Sequence, residues 1–249
     1  KHPINNSIYR SECKKKLDKD GVLVLSDFLL KGAIDNIYSE AKKQENLAYY
    51  CTNKHNVYLE PFDPSFKINH PRNRTVVSSK GCITDDQVPA DSYLRSLYNS
   101  MNFKEFLCKV LDENALYKYD DELSSINIHY AKETQELGWH FDNSSFAITL
   151  LIQKPTSGGV FEYIRDLRGS NSEEKNYDQI SDLLDNKFSP QRLKIESGSL
   201  VLFRGKNAIH RVTPSEGNLT RVLSVLAYNS EPSIKLTESA RMTFFGKLN

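Results

Sequence analysis

Residues 138–142 read Gly-Trp-His-Phe-Asp and set His140 and Asp142 two positions apart, directly before a strongly β-like run. On an extended chain residues i and i+2 point to the same side, so an imidazole and a carboxylate can meet one ion from one strand. A third ligand is available from His210, seventy positions after His140 on another short apolar segment, Asn207-Ala-Ile-His-Arg-Val212. Two imidazoles and one carboxylate on one face leave adjacent coordination positions open, which suits iron(II) holding a chelating co-substrate and then oxygen. Zinc more often takes a closed tetrahedral set or three ligands plus one water, and ranks with manganese as the alternative. His-x-Asp alone is a common chance pair whose ordinary role is to cap a turn. Arg221 makes the set more specific: it follows His210 by eleven positions and opens another predicted strand. A guanidinium there could clamp a carboxylate bidentately, as a keto acid chelating the metal with its other end would require.

The elements that must position these residues lie mostly in the C-terminal half. Segments 126–130, 146–153, 159–164, 193–195, 199–203, 209–212 and 221–228 read as short strands punctuated by Gly and Pro, a pattern of sandwiches and barrels. Polar, acidic sequence over 171–189, with a short helix near 177–184, reads as an insertion between two hairpins. Upstream, 21–25 predicts a strand, 33–45 a helix and 92–111 a second helix with an apolar face. The stretch 46–89 is irregular and rich in Asn, Pro, Asp and Tyr, which predicts long loops and short strands serving a site. The expected architecture is one domain over 1–249, mainly β within an α+β class. Residues 1–119 form a helical, loop-rich brace and residues 120–249 a barrel-like core.

Composition narrows the function. Lys and Arg total 33 against 32 Asp and Glu, a net charge of +1, which provides no field to gather a nucleic acid. No apolar run approaches the length of a membrane span. Cys13, Cys51, Cys82 and Cys108 are too scattered for a zinc site. The chain opens on Lys1 without a secretory signal pattern, so a cytoplasmic location is expected, and the Asn-x-Ser/Thr triplets at Asn5, Asn73, Asn143 and Asn218 carry no weight there. A small-molecule partner is the default; nothing in the sequence sets the oligomeric state.

In the order and spacing of His140, Asp142, His210 and Arg221, the chain resembles the iron(II)/2-oxoglutarate-dependent dioxygenase superfamily. Three longer segments are similar to its bacterial subgroup of free-amino-acid radical halogenases and hydroxylases, notably the lysine halogenases. They are Glu136-Leu-Gly-Trp-His-Phe-Asp-Asn-Ser-Ser-Phe-Ala-Ile-Thr-Leu-Leu-Ile-Gln153, Gly158-Gly-Val-Phe-Glu-Tyr163 and Leu200-Val-Leu-Phe-Arg-Gly-Lys-Asn-Ala-Ile-His-Arg-Val-Thr-Pro214. The resemblance implies a double-stranded β-helix (jelly-roll) fold. It also implies Fe(II), 2-oxoglutarate and O2 as cofactor and co-substrates, with 2-oxoglutarate chelating the metal and Arg221 holding its distal carboxylate. Halogenases of this subgroup carry a small residue in place of the carboxylate ligand, leaving room for chloride. Asp142 stands there in this chain, which implies hydroxylation of an unactivated C–H bond with release of succinate and carbon dioxide.

A free amino acid, lysine first among the candidates, needs contacts for its amine, its carboxylate and its ε-ammonium. Glu122 lies close to where the resembled lysine enzymes place a substrate carboxylate, with Asp120 and Asp121 as neighbouring acids more readily explained as a solvated turn. Asn143 occupies a substrate-facing position that carries an acid in the halogenases. Arg72 and Arg74 are candidates for the substrate carboxylate, Trp139 for a pocket wall, and Phe244 and Phe245 for an aromatic lid. His70 and His129 read as satisfied polar groups. The rival readings are a protein or peptide side-chain hydroxylase, where Lys commonly replaces the anchoring Arg, and a metal-binding barrel without turnover. A nucleic-acid demethylase is disfavoured by the charge and by the lack of a second Arg after Arg221.

Overall fold

Asn6 accepts hydrogen bonds from the backbone N–H of Ile8 and Tyr9 and so starts helix α1 (Ser7–Asp20); Gly21, at φ 71°, ends it in a left-handed turn that costs glycine nothing. Strand β1 (Val22–Leu25) and helix α2 (Lys31–Gln44) follow, as the periodicity predicts. Helix α1 itself is not expected from the sequence, because it buries only Cys13 and Leu17 and shows little periodic apolar signal.

The structure, a computed structural model, describes residues 1–168 and 175–249. Strands β2 (Tyr49–Asn56) and β3 (Thr75–Ile83) come next, then helices α3 (Tyr93–Asn99) and α4 (Met101–Leu111). The core strands are β4 (Ile126–Ala131), β5 (Leu137–His140), β6 (Ala147–Gln153), β7 (Ser157–Gly158) and β8 (Phe161–Ile164). After helix α5 (Tyr177–Leu184) come β9 (Gln191–Leu193), β10 (Leu200–Phe203), β11 (Ile209–Val212), β12 (Ser215–Glu216) and β13 (Arg221–Leu226), and helix α6 (Glu238–Phe245) closes the order. The expected insertion lies partly outside the described residues; its predicted short helix is α5. Among the described residues no helix is long and apolar enough to cross a membrane.

Two expectations are corrected. The single helix over 92–111 is two helices, because Ser100 adopts extended backbone, closes α3 and caps α4 through its side chain. The loop-rich stretch 46–89 contains β2 and β3, strands of eight and nine residues paired along their length. Their period is hidden because one face carries Cys51, Asn53, His55, Ser78 and Lys80 where an ordinary core strand would carry aliphatics.

Seven strands form one antiparallel sheet in the order β1-β10-β6-β13-β4-β3-β2, and four form a second, β5-β11-β8-β9. One face of the large sheet packs on the helices: Ile128, Tyr130, Ile148, Leu150, Leu202 and Val222 share a core with Ile37, Leu94, Phe106 and Leu107. The Tyr130 hydroxyl donates to the Ala41 carbonyl at 2.6 Å and ties strand to helix. By alternation, the other face of β4 and β13 presents Asn127, His129, Arg221 and Leu223 to the space between the sheets. There Val201 and Phe203 of the large sheet meet Tyr163 and Ala208 of the small-sheet side. The two sheets also join along β3 and β5, where Ser79 N–H donates to the Glu136 carbonyl at 2.7 Å.

On the outer face of the small sheet, Arg211 and Glu162 are directly paired in register. Glu162, fully buried, accepts from Arg211 at 2.7 Å and from Arg192 at 2.8 Å, and the Arg211 guanidinium lies 4.8 Å from the Trp139 ring centroid. Glu162→Ala removes both charge-assisted bonds, while the two guanidiniums still reach water. The expected loss is about 2 kcal/mol of stability, read from the midpoint of urea unfolding. An unchanged midpoint would show that the network contributes nothing.

Candidate metal centre

Strands β5 and β11 pair antiparallel with His140 directly opposite His210, so both imidazoles leave the sheet on the same side, their ring centroids 4.1 Å apart. Each ring is fixed by its own strand: His140 Nδ1 lies 2.8 Å from the Gly138 carbonyl and His210 Nδ1 lies 3.1 Å from the Ala208 carbonyl. A carbonyl only accepts, so both Nδ1 atoms carry the proton and both Nε2 lone pairs are free to ligate. Burial, aided by His140 and opposed by Asp142, pushes the His210 imidazole down to about 4 and keeps it a neutral donor.

Strand β5 ends at His140, and Asp142 sits just beyond it, held by backbone bonds from Phe141 N–H to the Val57 carbonyl at 2.8 Å and from Asp142 N–H to the Gly205 carbonyl at 3.1 Å. Its Oδ1 lies 3.5 Å from Nε2 of both histidines. The three ligand atoms all fall within 4.8 Å of one another, an arrangement that can hold one metal ion. Burial alone would raise the Asp142 carboxyl, but His210 and His140 hold it below the usual carboxylate range. Its Oδ2 is buried without a hydrogen-bond partner. A Cβ on Gly205 would stand 1.8 Å from that oxygen, so the glycine supplies the space in which the carboxylate sits. Phe161 stacks on His210 at 5.4 Å and Phe203 meets it edge-on at 4.7 Å, which shields this side of the cluster from water.

Arg221 is buried on the inner face of β13 and, among the described residues, makes no ion pair or side-chain hydrogen bond. Burial lowers its pKa to about 10, so it stays cationic at neutral pH. A buried guanidinium without a counter-charge is costly unless a ligand supplies one.

The other sequence candidates are spread more widely. Glu122 is exposed on the loop before β4, and Asn143 is exposed beside Asp142. Asp121 accepts from Leu123 N–H, Ser124 Oγ–H and Leu236 N–H, and Asp120 faces Lys235 at 3.5 Å, so both acids organise the turn. Arg72 pairs with Glu60 at 2.8 Å and donates to the Pro61 carbonyl; Arg74 pairs with Asp185 and donates to the Leu184 carbonyl. Trp139 leaves β5 on the face opposite His140 and packs with Val57, Phe141, Ile180 and Ile209. His70 is sandwiched between Phe66 and Tyr177. Phe245 packs with Cys82 and Leu123, while Phe244 lies 5.9 Å from the Lys80 ammonium. Gly205, His55 and Lys80 were not legible as site residues, and His129, read as a satisfied polar group, has the Lys80 ammonium against its ring nitrogens. The signal for Lys80 is that it shares a period-two face with Ser78 and Cys82, which has meaning only once β3 is known to be a strand.

A family model described as Halogenase D matches residues 6–243. Among curated protein sequences none matches the chain. Solved structures do. An oxidoreductase of the 2OG-Fe(II) oxygenase family from Burkholderia pseudomallei aligns with TM-score 0.58 at 11% identity, over 92% of this chain and 95% of that chain. HygX from Streptomyces hygroscopicus, solved with nickel, 2-oxoglutarate and hygromycin B, aligns with TM-score 0.59 at 13% identity, over 91% and 89%. A prolyl-4-hydroxylase from Pseudomonas putida aligns with TM-score 0.54 at 12% identity, over 87% and 96%. At such identities the likeness is one of fold, and the fold is that of these oxygenases.

If Gly205 makes room for the carboxylate, Gly205→Ala weakens metal binding by roughly tenfold or more although it removes no ligand. Anaerobic titration with Co(II), followed by its visible ligand-field bands, measures this. Equal affinities for variant and wild type would break the link between Gly205 and the centre.

Proposed function

The chain belongs to the Halogenase D family, and from that premise we propose that it is an iron(II)- and 2-oxoglutarate-dependent hydroxylase of an unactivated C–H bond in a free amino acid, with lysine the first candidate. The observation that carries the choice of hydroxylation is the Asp142 carboxylate, 3.5 Å from both histidine Nε2 atoms and filling the room that chloride would need.

The residues present fit the metal. Two neutral imidazoles with fixed tautomers, one carboxylate with an unpartnered oxygen and no cysteine make a hard, facial donor set. Iron(II) with 2-oxoglutarate supplies, when bound, an oxidising power sufficient for an unactivated C–H bond, with succinate and carbon dioxide as co-products. His140, Asp142 and His210 would hold the metal. Arg221 would receive the remote carboxylate of the keto acid; Gly159, whose Cβ would come 3.0 Å from Arg221 Cδ, keeps space for that side chain. Phe161 and Phe203 keep this wall dry, so the orientation of the bound amino acid, set by its charged ends, selects the hydrogen removed. Glu122 and Asn143, both on accessible edges, are the proposed contacts for the substrate's ammonium groups. Arg72 and Arg74 are matched within the chain and Trp139 faces away, so the proposed substrate contacts do not include them. The enzyme is read as one oxygenase domain built on a double-stranded β-helix.

The test is a screen of the standard amino acids plus ornithine, with iron(II), 2-oxoglutarate and oxygen. Succinate should form together with a product heavier by one oxygen atom, for lysine before the others. Succinate with none of them would remove the amino-acid reading. Turnover of another amino acid with lysine inert would move the substrate and leave the chemistry.

Replacing the ligand carboxylate tests its role directly. In chloride buffer, Asp142→Gly should yield some chlorinated product by mass spectrometry at the expense of hydroxylated product. Neither chlorinated product nor residual turnover would count against the assignment.

A further inference from the structure

The inner face of β3 carries a second cation that has no counter-charge among the described residues. Lys80 alternates with Gly81 and Ile83, which pair with Tyr130 and Ile128 on the helix side, so its side chain enters the space between the sheets beside His129. Its Nζ lies 3.0 Å from Nε2 and 3.1 Å from Nδ1 of His129, a position above the ring and not at one lone pair. No carboxylate among the described residues pairs with it, and burial pushes its pKa down. His129 is in turn held neutral by burial and by the charges of Lys80 and Arg221. Above this point α6 closes the end of the sheet, with Phe245 packed on Cys82 and the Phe244 ring over the ammonium. Arg221, buried, and Lys80, half-buried, therefore stand on one face of the large sheet, on strands separated only by β4.

The charges around the metal account for only one of them. A divalent metal and Arg221 are balanced by Asp142 and a doubly charged keto acid, which leaves the Lys80 ammonium unmatched. Lys80 and Arg221 stem from strands two spacings apart, about 10 Å, so one small carboxylate is not shared between their backbones without both side chains bending to it. Lys80 also lies one strand repeat, about 7 Å, from Ser78. Ser78 Oγ in turn touches His55 2.7 Å away, and the His55 ring faces His140. An anion at Lys80 would thus sit along the strand wall that runs by Ser78 and His55 to His140.

Resting on the amino-acid reading above, we infer that Lys80, presented over His129, anchors the carboxylate of the substrate. The substrate class is then a free α-carboxylate, and a residue inside a peptide, which lacks that charge, is excluded.

The experiment compares wild type, Lys80→Met and Lys80→Arg with l-lysine and with 1,5-diaminopentane, the same chain without its carboxylate; if the screen selects another amino acid, that compound and its decarboxylated amine replace them. In Lys80→Met the KM for the amino acid should rise roughly 10- to 100-fold and the preference over the amine should collapse. The KM for 2-oxoglutarate should stay within about twofold, and Lys80→Arg should recover part of the loss. Thermal unfolding supplies a second readout: removing an unpaired buried ammonium should leave Tm equal or higher, whereas a structural role for Lys80 would lower it. A raised KM for 2-oxoglutarate would assign Lys80 to the keto acid and overturn the inference. So would an unchanged KM for the amino acid, or a lowered Tm with the amino-acid preference intact. Absence of succinate from wild type with every amino acid would instead fell the parent reading, and this one with it.

Discussion

Everything chemical in this chain depends on one cross-strand register, His140 opposite His210. A slip of β11 by one residue would turn His210 to the other face of the small sheet and bring Arg211 inward, while His140 stayed where it is. The outer face resists that slip. Arg211 is opposite Glu162 on β8, Glu162 is fully buried and held by two guanidiniums, and Trp139 lies under Arg211. A buried ion pair is weak support for stability but effective against alternatives, because any shifted register would bury a charge without its partner. The same alternation that seats the metal ligands inside therefore places their positional control outside, on the neighbouring residues of the same strands.

Inside, the molecule accepts electrostatic cost. Among the described residues, Arg221 and Lys80 have no carboxylate partner, His129 is kept neutral between them, and one oxygen of Asp142 has no hydrogen bond. In an ordinary core each of these would be a fault. Here they lie on the inner faces of β3, β4 and β13 and beside β5, and each has the sign or lone pair that a specific guest would complete. The helix-facing side of the same strands shows the opposite character, with aliphatic and aromatic side chains in one continuous core. The large sheet thus divides its labour by face, with stability on one side and unsatisfied polarity on the other.

That division also explains what could be read from the sequence. The ligand trio and Arg221 were legible because a His-x-Asp pair, a distant His and an Arg at fixed offset are independent of the surrounding hydrophobic pattern. The C-terminal strands were legible because their helix-facing residues are aliphatic and regularly alternating, as in Ile148, Leu150 and Ile152. Strands β2 and β3 were not, since their inner positions carry Cys, Asn, His, Ser and Lys, a composition that normally marks loops. Lys80 disappeared with them, and His129, on the predicted strand β4, read only as a satisfied polar group. Gly205 had no local signal either: its backbone is unremarkable in φ, and its role lies in the Cβ it lacks, which only the folded position of Asp142 reveals.

Membership of a halogenase family and possession of a carboxylate ligand pull in different directions, and geometry weighs them unequally. A family model integrates similarity along 6–243, most of which builds sheets and helices common to many chemistries. The fate of the reacting carbon depends on what occupies one coordination position. In this chain the position is occupied by a side chain whose backbone is pinned on both sides, Phe141 to Val57 and Asp142 to Gly205, and whose oxygen sits where a Cβ on Gly205 would stand. Admitting an anion beside that carboxylate would place two negative groups in one dry pocket, which low-dielectric surroundings penalise heavily. The fold can therefore be shared across the family, and on the reading proposed above a single fixed carboxylate directs this member toward oxygen transfer.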